Sequence, residues 1–228
     1  GAYARISATG PDGSYYPTTP ESIIVHPPTA QTFPDNDFGY SDDIDTDVIY
    51  GLVFDDDNSN GRQDFGEEGL ADAVVNLNSH PPITTSGHGL LTGTFSFAVD
   101  QPGIYAIREQ DPPGYRSTTP NNVNFAVDLG QGYYVEFGDT NNPDTASVYG
   151  TVFDDYDGDG RQDDTEPGLP NVVISITVGG GSGVLTATTK PYGHFNYGFD
   201  VTEQGYHTLY EHDPAQPGYH STTPDRVN

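Results

Sequence analysis

The segment Asp155–Glu166 reads DYDGDGRQDDTE, and its side-chain oxygens fall at a regular spacing. Counting Asp155 as position 1, carboxylates stand at positions 1, 3, 5, 9 and 12: Asp155, Asp157, Asp159, Asp163 and Glu166. Gly160 occupies position 6 and Arg161 position 7. A near copy, DDNSNGRQDFGE, presents Asp56, Asn58, Asn60, Asp64 and Glu67 at the same five positions, with Gly61 and Arg62 between them. Calcium takes oxygen ligands, roughly six to eight of them. A twelve-residue loop supplies them from side chains at these positions, with a main-chain carbonyl at position 7 and glycine at position 6 for the sharp turn. Asparagine replaces aspartate only where a neutral side-chain oxygen still coordinates. Arginine at position 7 lends only its carbonyl. All twelve residues, the two arginines included, are therefore read as calcium ligands.

Electrostatics supports that reading over a solvated acidic turn. Two carboxylates about 4 Å apart repel by roughly 4 kcal/mol at an effective dielectric of about 20, so five converge only around a cation. Magnesium fits less well, because it demands a tighter octahedron and keeps its waters. The later loop carries five carboxylates against three, so it is expected to bind more tightly. Each loop follows a strand-like run such as VYGTVF. The later one precedes PGLPNVVISITV, where Pro167, Gly168 and Pro170 forbid a flanking helix. Without a helix pair to open, a sensor mechanism has nothing to act on. A clip between strands is the expected role.

The loops belong to a larger repetition. YGLVFDDDNSNGRQD from Tyr50 matches YGTVFDDYDGDGRQD from Tyr149, and FSFAVDQPGIY from Phe95 matches FNYGFDVTEQGYH from Phe195. PGYRSTTP ending at Pro120 matches PGYHSTTP ending at Pro224, and GSYYPTTP closes at Pro20 in the same phase. The expected division is the C-terminal part of a first repeat (1–41), a complete repeat (47–139) and a third lacking its last strands (147–228). The ends overlap in phase, as in a piece cut from a longer periodic chain. Strand donation between subunits is the alternative.

Within each unit the apolar period is two. Val172, Ile174, Ile176 and Val178 alternate with Asn171, Val173, Ser175 and Thr177, and the same spacing of two holds for Phe95, Phe97 and Val99, then Val123, Phe125, Val127 and Leu129, then Tyr133, Val135 and Phe137. Gly179–Gly181, Gln101-Pro-Gly103 and Pro112-Pro-Gly114 punctuate these runs. The fold class expected is all-β: tandem Ig-like or prealbumin-like β-sandwiches, each with a calcium-binding loop. The connections GYSDDIDTD and GDTNNPDTA are short and polar, which suits a rod with limited hinge freedom.

The 228 residues hold 7 Lys+Arg against 34 Asp+Glu, a formal charge of -27. Such a chain repels nucleic acid and anionic membrane and attracts cations. Cysteine is absent, which removes disulfides and thiolate-ligated zinc. No apolar run approaches the roughly 20 residues that span a bilayer. The seven histidines form no repeated set, and neither a zinc-protease signature nor a nucleophile elbow occurs, so no enzymatic activity is expected.

Taken together, VFDDYDGDGRQDDTEPGLPNVVISI, the aromatic strand after a glycine turn, PGYHSTTP and VEFGD resemble the B domains of serine–aspartate-repeat surface proteins. These SdrD B-like modules sit within the wider Cna-B, prealbumin-like group. The resemblance implies calcium-bound tandem spacers in extracellular stalks, filaments and adhesin arms. Its partners would be calcium and neighbouring repeats or other copies in a fibre. Related sandwiches often carry a Lys–Asn isopeptide. Lys190 is the only lysine and has no counterpart in the other repeat, so calcium is expected to be the main staple.

Several residues admit two readings. Asp42, Asp43, Asp45 and Asp47, then Asp139, Asn141, Asn142 and Asp144, are either solvated linker or a second calcium site between repeats. Asp55 and Asp154 either add a ligand or cap a strand. Glu109 and Glu211 reach the metal or, in the favoured reading, lie on the surface. The Thr-Thr-Pro triplets mark turns entering strands, with O-linked sugar as the minor alternative. Exposed tyrosines in SYYP and GYYVEF would suit stacking on surface glycans, the competing ligand-binding function; other cell-surface proteins are further candidate partners.

Overall fold

The computed structural model describes residues 4–25, 38–43, 45–78, 80–85, 87, 92–178, 183–200, 206–214 and 218–227, and its elements are all strands. At the N-terminal side, β1 (Ala4–Ser7) pairs antiparallel with β3 (Ser22–Val25), and β2 (Tyr16–Pro17) pairs with β4 (Tyr40–Ser41).

The middle of the chain forms two four-stranded sheets. Its strands are β5 (Asp47–Asp55), β6 (Val74–Leu77), β7 (Ile83–Thr84), β8 (Thr94–Val99), β9 (Gly103–Gln110), β10 (Arg116–Ser117), β11 (Asn122–Val127) and β12 (Gly132–Thr140). One sheet runs β10-β12-β5-β8 and the other β11-β9-β6-β7. All pairings are antiparallel except β12 on β5, which places Asp139 beside Asp55. The alternation read from the sequence is visible in the packing. Phe95, Phe97 and Val99 of β8 point inward while Ser96 and Ala98 face out. They meet Ile49, Val53, Val75, Leu77, Ile107, Val123, Val135 and Phe137 from both sheets in one core. Gly51 sits between Ile49 and Val53 because a Cβ there would strike the Phe95 ring and lie 1.9 Å from the Val135 carbonyl oxygen. Leu129 departs from expectation. It lies past the end of β11, in the turn that leads to β12.

The last third repeats the plan with β13 (Thr145–Thr151), β14 (Val173–Val178), β15 (Gly183–Thr188), β16 (His194–Asp200), β17 (Leu209–His212) and β18 (Arg226–Val227). β13 pairs with β16 as β5 does with β8, and β15-β14-β17-β18 reproduces β7-β6-β9-β11. Val172, Ile174, Ile176, Phe195 and Tyr197 form its core. The Gly179–Gly181 turn and the side chain of Val178 fall outside the described residues.

The two sandwiches touch closely. Tyr192 is buried within the core of the middle sandwich, and Lys190 Nζ donates to the Gly61 carbonyl at 2.9 Å while lying 3.6 Å from Glu136. Lys190 is thus engaged at the joint. The connecting residue Asn142 is held at both ends, donating to the Asp57 carbonyl at 2.9 Å and accepting from Arg116 at 2.7 Å.

Candidate metal centre

Each acidic loop leaves a strand and is closed behind by an isolated antiparallel bridge, Phe54 to Gly69 in the earlier copy and Phe153 to Gly168 in the later. The position-6 glycines adopt left-handed backbone, with φ of 73° at Gly61 and 77° at Gly160. Residues with a Cβ rarely take that conformation.

In the earlier loop Asp56 and Glu67, positions 1 and 12, are buried. The Asn60 and Gly61 amides donate to the two Asp56 carboxylate oxygens at 2.9 and 2.7 Å. The Asp64 amide donates to Glu67 Oε2 at 2.7 Å, joining positions 9 and 12. Asn58 and Asn60 direct their Nδ2 groups at Asp64 Oδ2, at 2.9 and 2.6 Å. Positions 3, 5 and 9 are therefore together. The amide protons stand in for a cation beside Asp64, and binding a metal requires both amides to turn their oxygens inward. Burial pushes the Asp56 carboxyl above its ordinary range and Glu67 up to about 7. Buried acids of that kind are stabilised as anions by a cation.

In the later loop Asp155, Asp157 and Glu166 each bring a carboxylate oxygen within 4.8 Å of the others. Asp159 and Asp163 fall outside that trio. Asp159 Oδ1 accepts from the Arg161 amide at 2.8 Å, and the Asp163 amide donates to Glu166 Oε2 at 3.0 Å. Burial and the neighbouring Asp159 and Glu166 charges raise the Asp163 carboxyl. A hydrogen bond from Thr222 is the main cause holding Asp155 below the usual carboxylate range. Arg62 and Arg161 are exposed and follow the left-handed glycines, the place from which position 7 lends a carbonyl. An all-oxygen donor set of this composition fits a hard divalent cation, calcium before magnesium.

A family model described as "SdrD B-like domain" matches residues 47–130 and again 146–227. The chain belongs to the SdrD B-like family. Serine-aspartate repeat-containing protein F of Staphylococcus epidermidis is 30% identical over 192 residues, covering 77% of this chain and 11% of that protein. The bone sialoprotein-binding protein of Staphylococcus aureus is 27% identical over 190 residues, covering 76% of this chain and 16% of the relative. The chain thus spans a small fraction of the curated relatives it matches. A Streptococcal ancillary pilin aligns over 81% of this chain and 58% of its own at 15% identity, with a TM-score of 0.34 that adds nothing to the assignment. Its relatives place this SdrD B-like chain among extracellular, cell-surface modules. Among the described residues no helix is long and apolar enough to cross a membrane.

Three features of this SdrD B-like chain depart from the sequence reading. The Thr-Thr-Pro triplets do more than turn the chain. Thr118 Oγ1 donates to Asp56 Oδ2 at 2.5 Å, and Thr119 Oγ1 accepts from the Gly138 amide at 2.9 Å. Thr19 takes the Gly39 amide in the same way. Thr118 and Thr119 are buried, which rules out sugar on either. Recurrence in phase with the loops was the signal that tied these threonines to them. Asp47 and Asp139 are fully buried strand residues rather than solvated linker, and Asp47 Oδ1 accepts from the Gln131 amide at 2.6 Å. Glu109 is buried rather than on the surface, because β9 carries it between the sheets. Of the tyrosines, Tyr16 spends its hydroxyl on the Thr46 carbonyl and Tyr133 stacks on Phe125, leaving Tyr15 and Tyr134 exposed.

Proposed function

We propose that this chain is a calcium-stiffened segment of an extracellular stalk, filament or adhesin arm, with repeat units at 47–139 and 147–228 after the end of an earlier one at 1–41. Its work is mechanical: to hold other modules at a distance and to keep successive repeats in line. One observation carries the reading. The earlier loop is also the surface on which the next unit sits.

Gly61 of that loop accepts from Lys190, the Ser59 hydroxyl meets Thr145 Oγ1 at 2.7 Å, and a side chain at Gly198 would lie 2.7 Å from the Ser59 carbonyl. The later loop is engaged in return. Asn124 Nδ2 donates to the Asp163 carbonyl at 2.6 Å, and Arg108 pairs with Asp164. A cation that orders these loops therefore orders the joint. Asp56, Asn58, Asn60, Asp64, Glu67 and the Arg62 carbonyl would hold one ion. Asp155, Asp157, Asp159, Asp163, Glu166 and the Arg161 carbonyl would hold the other. Extracellular modules bind calcium at about 10⁻⁴–10⁻³ M, so such sites stay filled outside the cell.

The test is thermal unfolding in calcium and then in chelator. At a hundredfold excess over the dissociation constant each site adds about 2.7 kcal/mol, so chelation should lower the melting temperature by on the order of 10 °C. Identical melting curves would end the calcium reading.

A further inference from the structure

In the last third of the chain the sheet β15-β14-β17-β18 ends on β15, a strand of six residues. Gly183, Val184, Leu185, Thr186 and Thr188 are exposed, Val184 at 63% and Leu185 at 47%. The direction of the backbone groups follows from the neighbouring strand. The Thr189 amide donates to the Val172 carbonyl at 2.9 Å, and antiparallel pairing alternates along the strand. The amides and carbonyls of Val184, Thr186 and Thr188 therefore point away from β14. Among the described residues no strand pairs with that edge. An unpaired row of donors and acceptors is a template for a further strand.

Two other edges of the same kind are guarded. β7, the counterpart of β15 in the middle sandwich, is cut to two residues behind Pro81 and Pro82. β11 is met by the adjoining repeat, whose Gly168 amide donates to the Asn124 carbonyl at 3.0 Å while His194 Nε2 lies 3.0 Å from the Asn122 carbonyl. Short length, proline and charge are the usual protections of an edge. β15 has none of them. Between Glu166 and Lys190 the sequence holds no Asp, Glu, Lys or Arg. On the outer face of the sheet Val184 stands with Val173, 41% exposed, and Tyr210, 36% exposed.

We propose that β15 is a self-association edge: it pairs antiparallel with β15 of a second copy and joins two four-stranded sheets into one continuous sheet across a twofold axis. Charge selects the occupant. At a net charge of -27 the chain repels its own kind over most of its surface, and a cationic partner is drawn to the acidic loops instead. The uncharged stretch is where two equally acidic molecules touch without facing carboxylates. An antiparallel pair of identical strands is self-complementary, so the contact closes at two copies. The Val184 side chains of both copies then continue one apolar face. No ligand named for either acidic loop lies on β14 or β15, so the pairing does not rest on the calcium reading.

Analytical ultracentrifugation of the full chain tests the pairing. Three forms are compared: the unaltered protein, V184K/T186K and T186P. The double variant sets lysines opposite lysines whether the axis passes through Leu185 or Thr186. The proline removes an outward-facing amide. The unaltered chain should pass from monomer to dimer as concentration rises, and more readily in high salt, which screens the mutual repulsion. Both variants should lose the dimer while keeping the circular dichroism spectrum and melting temperature of the unaltered chain. An unaltered chain that stays monomeric at every concentration and salt level overturns the proposal. A dimer that both variants retain also overturns it, because the contact then lies elsewhere. If T186P does not fold, V184K/T186K decides. The absence of cysteine allows a direct reading as well. T186C should cross-link two copies on oxidation, whereas S14C, at an exposed serine far along the chain, should not; equal yields from the two refute the pairing.

Discussion

Across 62 residues of sequence the Thr118 hydroxyl donates to Asp56 Oδ2, and both side chains are fully buried. The bond ties the first position of the acidic loop to the turn that leads into β11. Thr222 supports Asp155 in the same sense from the same place in the repeat. Replacing Thr118 by valine keeps the shape and removes the donor, so Asp56 stays buried with one bond fewer. Loss of a partner to a buried group costs about 1–3 kcal/mol. T118V should lower the melting temperature and weaken calcium binding by the earlier loop, while T222V, at an exposed threonine, should cost less. Differential scanning calorimetry of the two variants measures the difference.

The two loops should rank by charge. The later one offers five carboxylates, whereas the earlier offers three and must also turn the Asn58 and Asn60 amides away from Asp64. We expect tighter binding by the later loop, read by titrating D64A/E67A and D163A/E166A chains, each with one working loop. The reverse order would reject the ranking.

Stability without calcium should fall as pH rises. Burial is the main cause that lifts Glu109 to about 9 and Asp139 to about 8, far above the ordinary 4.5 and 3.8. Between about pH 4 and 9 the folded chain therefore keeps protons that the unfolded chain has released. Their contribution is complete below the ordinary values and disappears as pH climbs through 8 and 9. In chelator, melting should be highest near pH 5 and lower by at least several degrees at pH 9. A chelated chain that is more stable at pH 9 than at pH 5 would contradict this.

The position-6 glycines separate backbone strain from crowding. At Gly160 a Cβ would meet only Thr223 Cγ2, at 3.4 Å, so G160A should cost about 1 kcal/mol from the left-handed backbone alone. At Gly61 a Cβ would lie 2.7 Å from Asn196 of β16, so G61A should cost more and loosen the joint between repeats. Urea denaturation of both variants, with small-angle scattering of G61A, checks each half of the expectation.

Much of this molecule was legible before any coordinates. A period-two apolar pattern dictates strands with one buried face, so Phe95, Phe97, Val99, Ile174 and Ile176 were placed inward from sequence alone. The oxygen spacing of the loops and the left-handed glycine within each are local properties, carried by residues a few positions apart. What only the tertiary structure decided is long-range. The pairing of β12 with β5 carries Asp139 beside Asp55 and into the sandwich next to Glu109, 30 residues earlier in the chain. In the sequence Asp139 sits among polar linker residues and reads as solvated. Thr118 reads as a turn residue until the fold sets it on Asp56. Periodicity reports which face of a strand is buried, because that depends on neighbours one and two residues away. Which acids share that interior depends on sheet order and register, and these are fixed by packing between segments that the chain keeps far apart.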